Sequence, residues 1–277
     1  MEVPKRGQYI RVIISELERI HSPLLWLGIA CHIIGHDSLF MHSWNDRERT
    51  MDLLEAITGN RVNYGMNTIG GARRDIPDHL RKEIIDTLDD LEIKMQPMTH
   101  FLTTDKTVAM RTQGVGVLTR EDAIRIGAVG PHARASGVDI DVRRDAPYTS
   151  YEDFDFNIPV VESGDVYARV LIRVLETYES MKIVRQAVDM LPEGPINLGN
   201  KIPKVPAGEF VGCHEAPRGQ LVYKVVTNGG PTTHRLSIHV PTFKNAPTVE
   251  TMLKGNTVAD AGLIVASIDP CFSCMDC

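Results

Sequence analysis

Arg11-Val12-Ile13-Ile14-Ser15-Glu16-Leu17-Glu18-Arg19-Ile20-His21-Ser22-Pro23-Leu24-Leu25-Trp26-Leu27-Gly28 is the stretch from which the fold is read. Val12, Ile13, Leu17, Ile20, Leu24 and Leu27 recur at helical spacing with Arg11, Glu16, Glu18 and Arg19 between them, which predicts a helix from Arg11 to about Ile34, more deeply buried toward its end. Downstream, Trp44, Met51, Leu54 and Ile57 make the stripe of a second helix from about Ser43 to Thr58, with Gly59 placed to stop it. Pro77 suits the first turn of a third, in which Leu80, Ile84, Leu88, Leu91 and Met95 share one face and Pro97 interrupts. Three long helices in the first hundred residues make this half a bundle.

The middle reads differently. Gly114, Gly116, Gly127, Gly130, Pro131, Gly137, Asp139 and Pro147 predict turns and loops from about 111 to 160, around one short helix opened by Thr119. A fourth long helix runs from about Asp165 to Leu191 and ends at Pro192 and Gly194-Pro195. Residues 192–212 read as a Pro/Gly-rich connection. The period then changes to two: Gln220 to Val226, an Asn228-Gly229-Gly230-Pro231 turn, and Thr233 to Val240 predict a β-hairpin. Short elements follow, and the apolar run Leu263 to Ile268 leads into Asp269-Pro270-Cys271. The fold class is therefore α+β, mainly α: a long-helix bundle with a small antiparallel β-hairpin near the C-terminus, in a single domain over residues 1–277.

Composition narrows the function. Thirty Lys and Arg against 36 Asp and Glu give a net charge of −6 without a block of like charge, which excludes the basic footprint of a nucleic-acid binder. The longest stretch free of charged side chains, Ile20 to His36, holds three histidines and falls short of the roughly 20 apolar residues that a membrane span needs. The opening MEVPKRGQYIRV does not read as a signal peptide. Five cysteines in 277 residues are too sparse for a disulfide scaffold and point to a reducing compartment, yet Cys271, Cys274 and Cys277 sit together in the last seven residues.

Asp269-Pro270-Cys271-Phe272-Ser273-Cys274 is the sharpest chemical signal, because two thiolates three apart can bite one soft metal. Half a zinc site, a thioredoxin-like redox pair and half of a cluster or transition-metal site all remain open on spacing alone; Cys31 and Cys213 are isolated. His32 and His36 are spaced i, i+4, but the intervening Ile33-Ile34-Gly35 lacks the glutamate of a zinc protease, and hydrogen-bonded, partly buried histidines are the plainer reading. Gly114-Val115-Gly116 lacks the remainder of a dinucleotide fingerprint. Arg73-Arg74 and Arg143-Arg144, each beside an aspartate, read as solvated or paired faces. In Glu215-Ala216-Pro217-Arg218-Gly219 the proline fixes one dihedral and the glycine frees the next, so Arg218 sits on a rigid turn. A guanidinium so held suits an anionic or diatomic ligand, or equally a salt bridge to Glu215.

Taken in order and spacing, Arg11 to Arg19, His21 to Gly28, Asn60-Arg61-Val62, Ile69-Gly70-Gly71, Gly137 to Asp145, Glu215 to Gly219 and Asp269 to Cys274 resemble one family across essentially the whole chain. It is the large catalytic subunit of energy-converting, membrane-bound nickel-iron hydrogenases, together with its relative, the quinone-reducing D-type subunit of NADH-quinone oxidoreductase (complex I). The hydrogenase branch ends with a D-P-C-x-x-C pair, and this chain has both cysteines.

The resemblance implies a nickel-iron centre with cyanide and carbon monoxide on the iron. Cys271 would be a terminal nickel thiolate and Cys274 a bridging one. Arg218 would lie over the site near the cyanides, paired with Asp269, while Pro217, Pro241 and Thr242 would pack against or hydrogen-bond those ligands. It implies heterolytic hydrogen oxidation or evolution, or quinone-linked chemistry in the complex I alternative. Implied partners are a small electron-transfer subunit carrying a 4Fe-4S cluster, a ferredoxin-like subunit and membrane antiporter-like subunits, at the cytoplasmic side of the membrane. The family's first C-x-x-C and its N-terminal glutamate have no counterpart here, so two of the four cysteine ligands are missing. The chain is accordingly expected to be a fragment, or a reading frame opened at an internal methionine, lacking roughly the first third of such a subunit, with Cys277 where the family is cut in maturation. A non-catalytic remnant is the third expectation.

Overall fold

The computed structural model describes residues 3–199, 205–230 and 232–276. Its centre is α1 (Lys5–Ile33), which lies between α2 (Asp37–Thr58) and α8 (Val166–Asp189), with α3 (Asp78–Thr104) bridging α2 and α8. Ile10, Val12, Ile13, Ile14, Leu17, Ile20, Leu24, Trp26 and Leu27 are all buried, so α1 is apolar around its circumference and is enclosed as such helices must be. Pro23 and Pro97 lie inside α1 and α3, and neither ends its helix; the interruption expected at Pro97 is absent, and α3 continues to Thr104. Gly59 adopts the left-handed conformer (φ 85°) that closes α2.

Between α3 and α8 the chain makes only short pieces: α4 (Lys106–Thr112), α5 (Arg120–Ile126), α6 (Gly130–Arg134) and α7 (Val142–Asp145). Thr119 caps α5 by accepting from the Asp122 amide, and Asp165 caps α8 by accepting from that of Ala168. A two-stranded ribbon, β1 (Asn67–Thr68) and β2 (Gly71–Ala72), packs on α1.

The β-structure is larger than the sequence pattern suggested. The expected hairpin is β4 (Gly219–Thr227) with β5 (Thr233–His239), but β3 (Gly208–Ala216) pairs with the other edge of β4 to make a three-stranded antiparallel sheet in the order β3-β4-β5. β3 falls at the end of the stretch read as a connection and carries Gly208 and Gly212, which hid its alternation. Ala216 pairs with Gly219, so Pro217-Arg218 is the two-residue tip joining β3 to β4 rather than a turn ahead of the hairpin. Beyond the sheet lie α9 (Pro241–Asn245), α10 (Thr248–Leu253), α11 (Ala261–Ser267) and α12 (Phe272–Met275). The apolar run at 263–268 is thus α11, which packs on α1 and α8. Cys277 lies outside the described residues.

His32 and His36 do not share a helix. α1 ends at Ile33 and Gly35 turns the chain (φ 91°). His32 is exposed and bonded to Asp37 at 2.6 Å, and His36 stacks edge-on against Phe101.

Candidate functional site

The site is the place where the β3–β4 tip meets the tail. Pro217 fixes its own φ and Gly219 takes φ 124°, so the tip turns sharply with Arg218 at its apex. From there the guanidinium reaches Asp269, Nε donating to the backbone oxygen at 2.9 Å and Nη2 to Oδ1 at 2.9 Å; Nη1 lies 3.4 Å from the Ser22 hydroxyl of α1. Asp269 is buried and has a positive φ of 57°, a strained conformation for a non-glycine residue that redirects the chain out of α11 toward the cysteines. Burial pushes its carboxyl up, against the opposing pull of Arg218 and Arg173.

Cys271 and Cys274 follow at the base of α12, both half-buried. The Cys274 amide donates to the Cys271 oxygen at 3.1 Å, folding the loop so that the two thiols share a hydrogen bond. Burial raises the Cys271 thiol, but hydrogen bonds from Cys274 and Ser273 and the nearby Arg218 charge bring it below its ordinary value. The Ser273 hydroxyl is 3.1 Å from the Cys271 sulfur. Thr242, enclosed in the first turn of α9 behind Pro241, accepts the Cys271 amide at 3.3 Å. The structure therefore brings Arg218, Asp269, Cys271, Cys274, Thr242, Pro217 and Pro241 into one neighbourhood.

Arg218 does not pair with Glu215. That carboxylate points inward to Arg134 at 2.9 Å, and Arg134 also binds Glu176 at 2.7 Å and Asp141 at 3.3 Å. Arg143, read from the sequence as part of a surface pair, is buried between Asp141 and Glu16, while Arg144 is the exposed member of its doublet. Arg19 completes the lattice, donating to Glu176 at 3.0 Å and to the backbone oxygens of Glu215 (3.3 Å) and Ala216 (3.0 Å) immediately before the tip. Tyr151 donates to Glu16 at 2.7 Å. Burial drives the Glu16 carboxyl upward, but Arg143 and Arg19 outweigh it and the net shift is downward; Glu215 ends raised, because burial and Asp141 prevail over Arg134.

Sequence reasoning missed this lattice and several neighbours of the site. Ser22 and His21 face Arg218 from α1, and burial with the charges of Arg47 and Arg218 lowers His21 to about 4. Arg173 lies 4.0 Å over the Trp26 ring and donates to the Ser267 oxygen at 3.0 Å, two residues before Asp269. The available signal was charge inside apolar helices: Glu16 and Arg19 at i, i+3, and Arg169, Arg173 and Glu176 at i, i+4, i+7, stand on faces otherwise apolar. Among the described residues no group of three or more His, Cys, Asp or Glu side chains is placed to hold a metal, so the paired thiols offer two soft donors and no more.

This fold is that of a respiratory oxidoreductase subunit. Residues 34–204 and 198–277 match the family described as "Respiratory-chain NADH dehydrogenase, 49 Kd subunit", and the chain belongs to it. It is 41% identical over 277 residues to the carbon monoxide-induced hydrogenase of Rhodospirillum rubrum, covering 100% of this chain and 76% of that protein. To the D-type NADH-quinone oxidoreductase subunit of Clostridium beijerinckii it is 38% identical, over 98% of this chain and 73% of that one. Among solved structures, a chain of the membrane-bound sulfane sulfur reductase (MBS), an archaeal respiratory membrane complex, superposes with a TM-score of 0.94 at 35% identity, over 100% of this chain and 76% of that chain. No helix among the described residues is long and apolar enough to cross a membrane.

Proposed function

We propose that the chain is the hydrogen-reacting subunit of an energy-converting membrane complex, with Cys271 and Cys274 as two thiolates of a nickel-iron centre. The observation that carries this reading is the pair of thiols in mutual hydrogen-bond contact beside a guanidinium fixed at 2.9 Å by Asp269. Soft sulfur donors suit nickel, and Cys271 and Cys274 would supply two of the four that such a centre takes. When bound, such a centre supplies the heterolytic cleavage of hydrogen.

The chain's own residues have separable tasks. Arg218 presents planar donors to anionic ligands of the centre. Asp269 holds that guanidinium at two points, so its orientation is set before any ligand arrives. Thr242 fixes the backbone of Cys271 through its amide. Pro217 and Pro241 wall the site without adding donors that would hold water. A cysteine thiolate or the Arg218 guanidine would take and return the proton. Electrons would leave through a 4Fe-4S cluster of a small partner subunit and onward to a ferredoxin-like subunit, with membrane antiporter-like subunits beneath. The respiratory membrane complex that holds the solved relative supports a membrane setting, and this subunit would sit at the cytoplasmic face.

A second reading, a quinone-linked subunit without nickel, is favoured by the missing third donor among the described residues and by the relatives named as NADH-quinone oxidoreductase subunits. The two separate in one experiment. The native complex is isolated, its nickel content measured, and hydrogen-dependent and quinone-dependent dye reduction compared. Stoichiometric nickel with hydrogen-dependent reduction is expected; a mature complex with neither overturns the hydrogenase reading.

A further inference from the structure

Arg218 works only if its tip is held, and the tip has little to hold it locally: two residues between β3 and β4, with Pro217 lacking an amide hydrogen. The fixings come from elsewhere in the chain. On one side Arg19 of α1 donates to both carbonyl oxygens that precede the tip, those of Glu215 and Ala216. Arg19 is itself oriented by Glu176 of α8 at 3.0 Å and by Glu16 at 3.6 Å, inside a lattice closed by Arg134, Asp141 and Arg143. On the other side Gly219 rests on Gly130: a Cβ at Gly130 would lie 2.4 Å from the Gly219 Cα and 2.5 Å from the Arg218 oxygen. The residue before Gly130, Val129, is gripped at both backbone atoms by the Asn245 side chain of α9, at 2.9 and 3.2 Å. α9 is also the helix whose Thr242 receives the Cys271 amide. A closed mechanical ring thus runs from Arg19 through the tip, Asp269, Cys271, α9 and Gly130 back to the tip.

We infer that Arg19 is a positioning residue of the site: by holding the Glu215 and Ala216 carbonyls it sets where Arg218 meets Asp269. It never touches the thiols; Nη1 donates to both carbonyls while Nη2 donates to Glu176, a planar division of donors that an ammonium does not reproduce. The inference deepens the reading above through Arg218, yet the contact it concerns can be read without metal or turnover.

The test is a mutant cycle on the full chain. Arg218→Gln and Asp269→Asn are made singly and together, and urea unfolding midpoints are measured. With Arg19 present, the midpoint shift caused by Asp269→Asn should fall by at least half once residue 218 is Gln, because the contact it breaks is already gone. In an Arg19→Lys background that dependence should vanish, the two shifts becoming additive. Asp141→Asn weakens the same lattice through Arg134 and Arg143 while leaving the partners of Arg19 in place, so there the dependence should survive. Should Arg19→Lys give no cooperative transition, Arg19→Gln serves, read by amide hydrogen exchange: the Arg218 and Gly219 amides should speed up at least tenfold relative to those of α3. Undiminished dependence in Arg19→Lys, equal loss in Asp141→Asn, or uniform acceleration of exchange across the chain overturns the inference. Because nickel plays no part in these readings, failure of the hydrogenase reading leaves their outcome unchanged, and the converse also holds.

Discussion

Arg134 and Arg143 on one side, and Arg169 and Arg173 on the other, are four guanidiniums almost equally withdrawn from water and held in opposite ways. The first two lie among carboxylates, with Glu16, Asp141, Glu176 and Glu215 in the same lattice, and their acidities are pushed further out of reach. Arg169 and Arg173 have backbone carbonyls: Gly164 and Gly116 for one, Arg169 and Ser267 for the other, with no carboxylate in direct contact among the described residues. Burial dominates, and the two are lowered to about 9 and about 10. The difference teaches that the interior is divided into a neutralised region that fixes the fold around the β3–β4 tip and a net-positive region beneath Asp269, on the side where the site's anionic groups lie. A positive field there favours thiolate and other anions at the surface above it.

The largest expected effect breaks the neutralised region. Arg134→Met removes the cation shared by Glu176, Glu215 and Asp141; Arg19 and Arg143 still face the first and the last, but Glu215 loses its ion-pair partner, and breaking a buried pair from one side costs about 3–5 kcal/mol. Urea unfolding should report a loss of that size or an unfolded chain. Acid should act on the same region. Despite the burial that opposes it, Asp141 is held well below the usual carboxylate range by Arg143 and Arg134, so its contribution is complete above that range and is lost as pH falls through and below it. Asp141→Asn should flatten the acid limb of the stability curve.

Next comes the seat of the tip. Gly130→Ala combines a backbone collision with a positive φ of 67°, and overpacking with that strain should cost about 3 kcal/mol. The measured midpoint shift should be matched by Gly219→Ala, which meets Gly130 from the other side.

Legibility in the sequence followed the same division. Helices with one-sided or all-round apolar spacing were readable because burial is what writes that spacing: Leu80, Ile84, Leu88, Leu91 and Met95 all face inward. The tail motif was readable as chemistry because cysteines three apart have few other uses. The lattice was not, because its members come from α1, α6, α7, α8 and β3, and each alone resembles a surface charge; only tertiary packing turns Arg143 inward and leaves Arg144 outside. β3 escaped because its glycines break the alternation and its faces are only partly covered.

The net-positive region should respond more mildly, and in the alkaline rather than the acid range. Arg169→Met removes the donors on the Gly164 and Gly116 oxygens, at about 1–3 kcal/mol, but it also relieves the burial of a cation. Since burial lowers Arg169 to about 9 in the folded chain, well below its ordinary value, the unfolded chain binds more protons above about pH 9, and the native protein should gain stability with rising pH there. The gain should be missing in Arg169→Met. A parallel pH profile in both proteins would mean that this guanidinium is neutralised after all, and the contrast between the two regions would fail.

The smallest effect is expected where the chemistry is densest. Phe272, between the two cysteines, is 80% exposed, and Phe243, on the α9 that packs against α12, is 64% exposed. Neither fills a cavity, so Phe272→Ser should move the unfolding midpoint by no more than about 0.5 kcal/mol. The thiol loop then rests on the tip, on Thr242 and on the strained Asp269, while its own aromatic contributes nothing to the core. A loss approaching that of Gly130→Ala would mean that Phe272 is covered in the folded chain, and that the loop is part of the rigid interior rather than an appendage fixed to it at three points.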